Sequence, residues 1–152
     1  MRDSYEINRG TLAIIPVTDK ISQVIEDENQ FLVRKSTTKI IDESCKFFGS
    51  SYLGRKDGTK RLIGVTYKAP IIVCESSGII FFPTSSPRFD NCHWISLNNL
   101  KDYTKHKTDI NKCIVTFKND KEIQLNLSFF ILENQIYRAT MLESKLMKLK
   151  TA

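Results

Sequence analysis

The sequence predicts an α+β fold: mostly antiparallel strands, short helices in mid-chain and a long helix at the C-terminal end, in one domain over residues 1–152. Three patterns carry this expectation. Ile71–Cys74 and Ile79–Phe82 are apolar runs joined by the turn residues Glu75-Ser76-Ser77-Gly78. Cys113–Phe117 and Glu122–Leu127 alternate about Lys118-Asn119-Asp120-Lys121, a second hairpin. After Ser128, a natural cap, Leu132, Ile136, Ala139, Leu146 and Leu149 mark one helical stripe, and Glu133, Asn134, Arg138, Glu143, Lys145 and Lys148 decorate the rest. Two late hairpins closed by one helix also suggest a partly closed, pleckstrin-like barrel, by analogy of layout alone.

The remaining elements follow in chain order. Tyr5–Asn8 and Thr11–Ile15 flank Arg9-Gly10 and predict an opening hairpin. Pro16 and the acidic stretch carrying Glu26, Asp27 and Glu28 read as a connector, and Phe31–Val33 as a strand. From Ser36 the period changes: Ile40, Ile41, Ser44, Cys45 and Phe48 recur at helical spacing, Ser36 or Thr37 can cap the start, and Gly49 stops it. Ser50 or Ser51 then offers a second cap, with Tyr52, Leu53, Leu62 and Ile63 as core-facing candidates. Gly54 and Gly58 each cost roughly 1 kcal/mol against Ala in a helix interior. A short helix with a glycine-rich entrance is therefore expected rather than a regular one. Pro83–Asn91 is an exposed loop by its turn chemistry, and His93–Leu97 is a strand. Phe47, Phe48 and Trp94 are expected in the core, Trp94 with its N–H satisfied.

Composition argues against several classes. Four cysteines, Cys45, Cys74, Cys92 and Cys113, form no CxxC pair, so reduced, buried thiols are expected rather than a disulfide or zinc framework. His93 follows Cys92 directly, and neighbours on a strand point to opposite faces, which defeats a thiol–imidazole pair. His106 lies between Lys105 and Lys107. No Walker loop, HExxH or GxSxG is present, and no catalytic residue, metal ligand or cofactor site is expected. MRDSYEINRG is unlike a signal peptide, and no apolar run nears the roughly 18 residues of a membrane span. The expectation is a cytoplasmic protein with no membrane partner.

Charge is the informative quantity. The chain holds 23 Lys and Arg against 17 Asp and Glu, a net +6. Between Lys46 and Lys68 stand six cations, Lys46, Arg55, Lys56, Lys60, Arg61 and Lys68, against the single acid Asp57. This asymmetry points to a polyanion, nucleic acid or a phospholipid surface. The plainer readings are a solvated basic face, or pairing of Arg55 and Lys56 with Asp57 and a remote carboxylate. A rival function is a basic interaction module taking anionic lipid or an acidic peptide.

Taken together, CKFFGSSYLGRKDGTKR (45–61), KAPIIVCESSGIIFFPTSSPR (68–88), CHWISL (92–97) and FILENQIYRATML (130–142), with Ser4–Asn8 at the start, resemble the competence transcription factor family, ComK, of Gram-positive bacteria. The likeness runs from Ser4 to about Lys145. It implies a sequence-specific activator that binds double-stranded DNA, recognises paired AT-rich boxes mainly through the minor groove as dimers or a dimer of dimers, and switches on DNA-uptake genes. It also implies a nucleoid-associated location and control by an adaptor that delivers the protein to a Clp protease. The family's C-terminal tail, tied to activation and adaptor-mediated turnover, is expected to be absent from this chain, which ends Leu149-Lys150-Thr151-Ala152.

The physics of such a site suits the basic segment. The minor groove over A·T pairs presents acceptors alone, so its reader needs donors, and a narrow A-tract groove attracts Arg. Arg55 supplies those donors, Lys56 a phosphate contact, and Gly54 room for the backbone to approach. Ser50 and Ser51, with free N–H groups at a helix start, suit phosphate oxygens. Lys60 and Arg61 extend the contact; Tyr52 either packs on the core or meets sugar and phosphate; Arg88 is an outlying candidate. Asn134, Gln135 and Arg138 are open to a protein partner, a backbone bond or DNA.

Overall fold

The computed structural model describes residues 1–87 and 92–151. The chain runs β1 (Thr11–Pro16), β2 (Ser22–Glu26), β3 (Gln30–Val33), α1 (Thr37–Phe47), α2 (Tyr52–Ile63), β4 (Ile71–Cys74), β5 (Ile79–Pro83), β6 (Trp94–Ser96), β7 (Leu100–Lys105), β8 (Cys113–Phe117), β9 (Glu122–Leu125) and α3 (Phe129–Thr151). Six strands form one sheet in the order β3-β2-β1-β6-β5-β4, and three form another, β7-β8-β9. All the strand pairs are antiparallel. The fold is therefore α+β as expected, but no barrel closes among the described residues.

The reason lies in how the larger sheet is covered. Alternate residues of its strands feed two separate apolar clusters. Ile14, Ile71, Val73, Phe81 and Trp94 pack with Ile40, Ile41 and Cys45 of α1. Ala13, Ile72, Ile80, Phe82 and Ile95 pack with Cys113, Val115 and Phe117 of the small sheet and Leu132, Ala139, Leu142 and Leu146 of α3. A sheet buried on both faces needs near-continuous apolar strands, which explains why IIVC and IIFFP show no polar alternation. Such a sheet is a middle layer, with no lumen to enclose.

The edges of this sheet are managed separately. At one end α2 packs beside β4 and touches both α1 and α3. At the other end the chain start lies along β3: Arg2 forms a parallel bridge with Val33, its N–H donating to Leu32 O at 3.0 Å and its O accepting Arg34 N–H at 2.9 Å. The Arg2 guanidinium also sits 3.7 Å above the Phe31 ring.

Several local expectations are corrected. Tyr5–Asn8 is not a strand; Tyr5 and Ile7 instead turn inward, with the Tyr5 hydroxyl donating to Glu26 at 2.6 Å. The first hairpin is β1–β2, so the supposed connector holds a strand: Val24 is fully buried and the Ser22 hydroxyl donates to Lys35 O at 2.6 Å. The sequence LKDYTK, read as no element, forms β7 because β8 pairs with it along its whole length, although most of its side chains face solvent. Phe47 is 65% exposed and Phe48 half-buried. Phe47 follows the polar face of α1 outward, and its ring meets Phe48 edge-on at 5.1 Å. Leu53 and Leu149 are also exposed, whereas Gln135 and Leu142 join the buried stripe of α3. Trp94 is buried, but its indole N–H has no acceptor among the described residues; Tyr52 stands edge-on to it at 6.1 Å.

Of the loop expected over Pro83–Asn91, Pro83 ends β5 and residues 88–91 lie outside the described residues. Several other local expectations match. Ser36 caps α1, accepting Lys39 N–H at 3.2 Å. Ser128 Oγ accepts Ile131 N–H at 3.3 Å. All four cysteines are free and buried, and burial pushes the Cys45 thiol up to about 12.

Candidate nucleic-acid interface

Four residues, 48–51, separate α1 from α2. Phe48 ends α1, and Gly49 turns the chain with φ +90°, a conformation that a Cβ would strain. Ser51 takes the cap position, its Oγ accepting Gly54 N–H at 2.9 Å. Asp42 then reaches over from α1 and accepts Tyr52 N–H at 2.9 Å, while its second oxygen lies 3.0 Å from Lys46 Nζ. Desolvation pushes the Asp42 carboxyl up, but the Tyr52 N–H and Lys46 outweigh it and hold the group below its ordinary value. A carboxylate at this end also complements the helix dipole. Two donors expected to greet a phosphate are thus already taken, by Ser51 and by an anion from the protein itself.

The segment is a continuous helix of 12 residues in which both glycines are helical, where a short helix with a glycine-rich entrance was expected. Its ends and middle are pinned. Gly64, at φ +72°, closes the C-terminus by returning its N–H to Lys60 O at 2.9 Å. Thr59, 1% exposed, donates to Pro70 O at 2.6 Å and so ties α2 to the entry of β4. The two glycines differ in their surroundings. A Cβ at Gly54 would lie 3.0 Å from Ser50 Oγ and 3.1 Å from Ser51 Oγ, so a methyl there would press on the cap. At Gly58 a Cβ would meet nothing within 4 Å.

Helical spacing sorts the remaining side chains. Tyr52, Leu62 and Ile63 pack against the two apolar clusters, with Thr59 between them. Burial pushes the Tyr52 hydroxyl up to about 12. Arg55 follows this inner face: its side chain is 19% exposed, Nη1 stands 3.7 Å from Glu75 Oε2, and its enclosed Nε has no hydrogen-bond partner among the described residues. Lys60 and Arg61 are exposed, and Lys56 is half-buried at the helix flank. None of these three forms an ion pair among the described residues; the six pairs there lie elsewhere. Gly54, Gly58 and Arg61 recur at i, i+4 and i+7, one smooth flank ending in a guanidinium.

One helix and its cap thus bring together Ser50, Ser51, Tyr52, Gly54, Arg55, Lys56, Lys60 and Arg61, but on different faces. Arg88 lies outside the described residues. On α3, Gln135 is a structural residue, donating to Lys68 O at 2.9 Å and Pro83 O at 2.7 Å, and Arg138 Nη1 donates to Tyr67 O at 3.0 Å. The sequence reading singled out neither Asp42 nor Tyr67. Asp42 leaves no signal beyond its place one helical turn before Lys46. Tyr67 is 63% exposed and stands in a segment whose role depends on α3. Among the described residues no group of three or more His, Cys, Asp or Glu is placed to hold a metal ion, and no helix is long and apolar enough to cross a membrane.

Comparison with known proteins gives a consistent result. No solved structure matches the chain. Against curated proteins it is 40% identical over 146 residues to the competence transcription factor of Bacillus subtilis (strain 168), an alignment that takes in 94% of this chain and 75% of that relative. The family described as ComK protein matches residues 2–150, which include the whole basic helix and both sheets. A match of that span, with the basic helix inside it, means that the chain belongs to the ComK family.

Proposed function

We propose that this protein is a transcriptional activator of competence genes that binds AT-rich DNA through the outer face of α2. The observation that carries the assignment is the set of unpaired cations there: Lys56, Lys60 and Arg61 project from a helix fixed at both ends, with no carboxylate claiming any of them among the described residues. Paired cations gain little from a phosphate; unpaired ones release condensed counterions on contact.

The geometry constrains how α2 acts. A helix is about 10–12 Å across with its side chains, wider than the roughly 6 Å minor groove. The helix therefore lies over the groove and reaches in with side-chain tips. Arg61 is the exposed guanidinium, so it takes the role of inserted donor, while Lys56 and Lys60 contact the flanking phosphates. The flank of Gly54 and Gly58 lets the backbone sit close to the groove rim. Arg55 contributes only if the duplex draws it away from Glu75. A symmetric pair of boxes is read by a dimer or dimer of dimers, each copy presenting one α2. Turnover through a Clp-protease adaptor rests on family membership alone.

The test is a salt titration of binding to an AT-rich duplex, run beside anionic vesicles. Lys60→Ala with Arg61→Ala should lower the slope of log affinity against log salt by about two units, with thermal stability changed by less than about 0.5 kcal/mol. A minor-groove ligand should compete. An unchanged slope would reject this face as the contact, and retention on vesicles without duplex binding would favour a lipid partner.

A further inference from the structure

Beside α2 lies a cleft that the basic helix alone does not explain. Its walls come from three separate stretches: Tyr52 and Lys56 of α2, Thr66 and Lys68 of the link to β4, and Ser86 beyond β5. The cleft holds about 330 Å³, and among the described residues no carboxylate lines it. Two lysines and four hydroxyl-bearing residues, Tyr52, Thr66, Tyr67 and Ser86, line it, a donor set suited to phosphate oxygens. Tyr67, exposed at its rim, lies 5.6 Å from the Lys68 Nζ. Neither Lys56 nor Lys68 has an ion-pair partner among the described residues.

The backbone of Lys68 is an independent observation. Its φ is +50°, in the left-handed region that favours Gly or Asn and penalises other residues. The surroundings impose this conformation. α3 grips the link through Gln135 on Lys68 O and Arg138 on Tyr67 O, and Thr59 fixes Pro70 just beyond. A glycine or asparagine would meet the same backbone demand at lower cost, so what lysine adds is its side chain. Strain retained at a basic cleft points to a use for that charge.

We infer that this cleft seats a backbone phosphate of bound DNA, held by Lys56 and Lys68, with Tyr67 against the adjoining sugar. The inference rests on the DNA-binding reading above and adds a second point of contact beside α2. A phosphate seat fixes the register of the protein on the duplex and carries no sequence information itself.

Lys68→Asn is the discriminating variant, because asparagine tolerates the left-handed backbone while removing the charge. It should melt at or above the wild-type temperature. At about 0.1 M salt its affinity for an AT-rich duplex should fall roughly tenfold, with the salt slope lower by about one unit. The loss should be equal on a GC-rich duplex, leaving the preference between the two unchanged. Lys56→Ala combined with Lys68→Asn should lower the slope by about two units. If wild type binds DNA and Lys68→Asn binds with the same slope, the seat is wrong and the DNA-binding reading stands. If wild type itself shows no duplex binding, both fall. A changed AT preference in Lys68→Asn would also overturn the phosphate assignment.

Discussion

α1 and α2 are neighbours in sequence and nearly equal in length, at 11 and 12 residues, yet they are built on opposite principles. α1 buries Thr37, Ile40, Ile41, Ser44 and Cys45, whereas α2 fully buries Thr59 alone. α1 is held by its own apolar stripe. α2 is held from outside, by Asp42, the Ser51 cap, Gly64 and the Thr59 hydrogen bond, and so its outer face is free to carry charge. An interface helix need not be a good helix by composition. It needs good anchors.

Three sets of substitutions break or sharpen this contrast. The largest effect is expected from Ile41→Ala, which empties a fully buried site of α1 and should cost about 3 kcal/mol in denaturant unfolding. Leu53→Ala on α2, where the side chain is 67% exposed, should stay within about 0.5 kcal/mol. Equal losses would mean that both helices are core elements.

Next comes Asp42→Asn, which keeps an oxygen for Tyr52 N–H but removes the charge facing Lys46 and the helix dipole. About 1 kcal/mol should be lost near neutral pH. The sign with pH is fixed by the depressed carboxyl. Its contribution is fully present above the unfolded carboxylate value near about 4 and disappears as pH falls through the lower folded value. Wild-type and Asp42→Asn stabilities should therefore converge on acidification, and parallel curves would remove Asp42 as the anchor.

The smallest effects separate the two glycines. Gly58→Ala, in open space, should stabilise by about 0.5–1 kcal/mol. Gly54→Ala should show no such gain, because the new methyl presses on the two serine hydroxyls that form the cap. Thermal melts of the two variants side by side decide the matter; equal gains would mean that the cap yields freely.

What was legible in the sequence follows from what is local. The β4–β5 and β8–β9 hairpins, α1 and α3 announce themselves through turn residues, caps and apolar spacing. β2 and β7 do not, because SQVIE and LKDYTK owe their strand form to the partners beside them. The regularity of α2 was hidden by its glycines, since anchors such as Asp42 and Pro70 act across the chain. At the candidate site, the cluster of charge was plain, but the division of labour within it was not. Whether Arg55 or Arg61 faces outward depends on the helix phase, and that is set by Thr59 meeting Pro70. Gln135, open in the sequence to a protein partner, a backbone bond or DNA, proves to be a buried clamp on the backbone of the link around Lys68.

The bridge from Arg2 to Val33 has a bearing on handling this protein. A bare outer strand is a template for another chain, and here the first few residues act as its cover. Removing the segment around Arg2 would uncork β3, and the outcome to watch for is not unfolding but molecules stitching together, sheet margin to sheet margin.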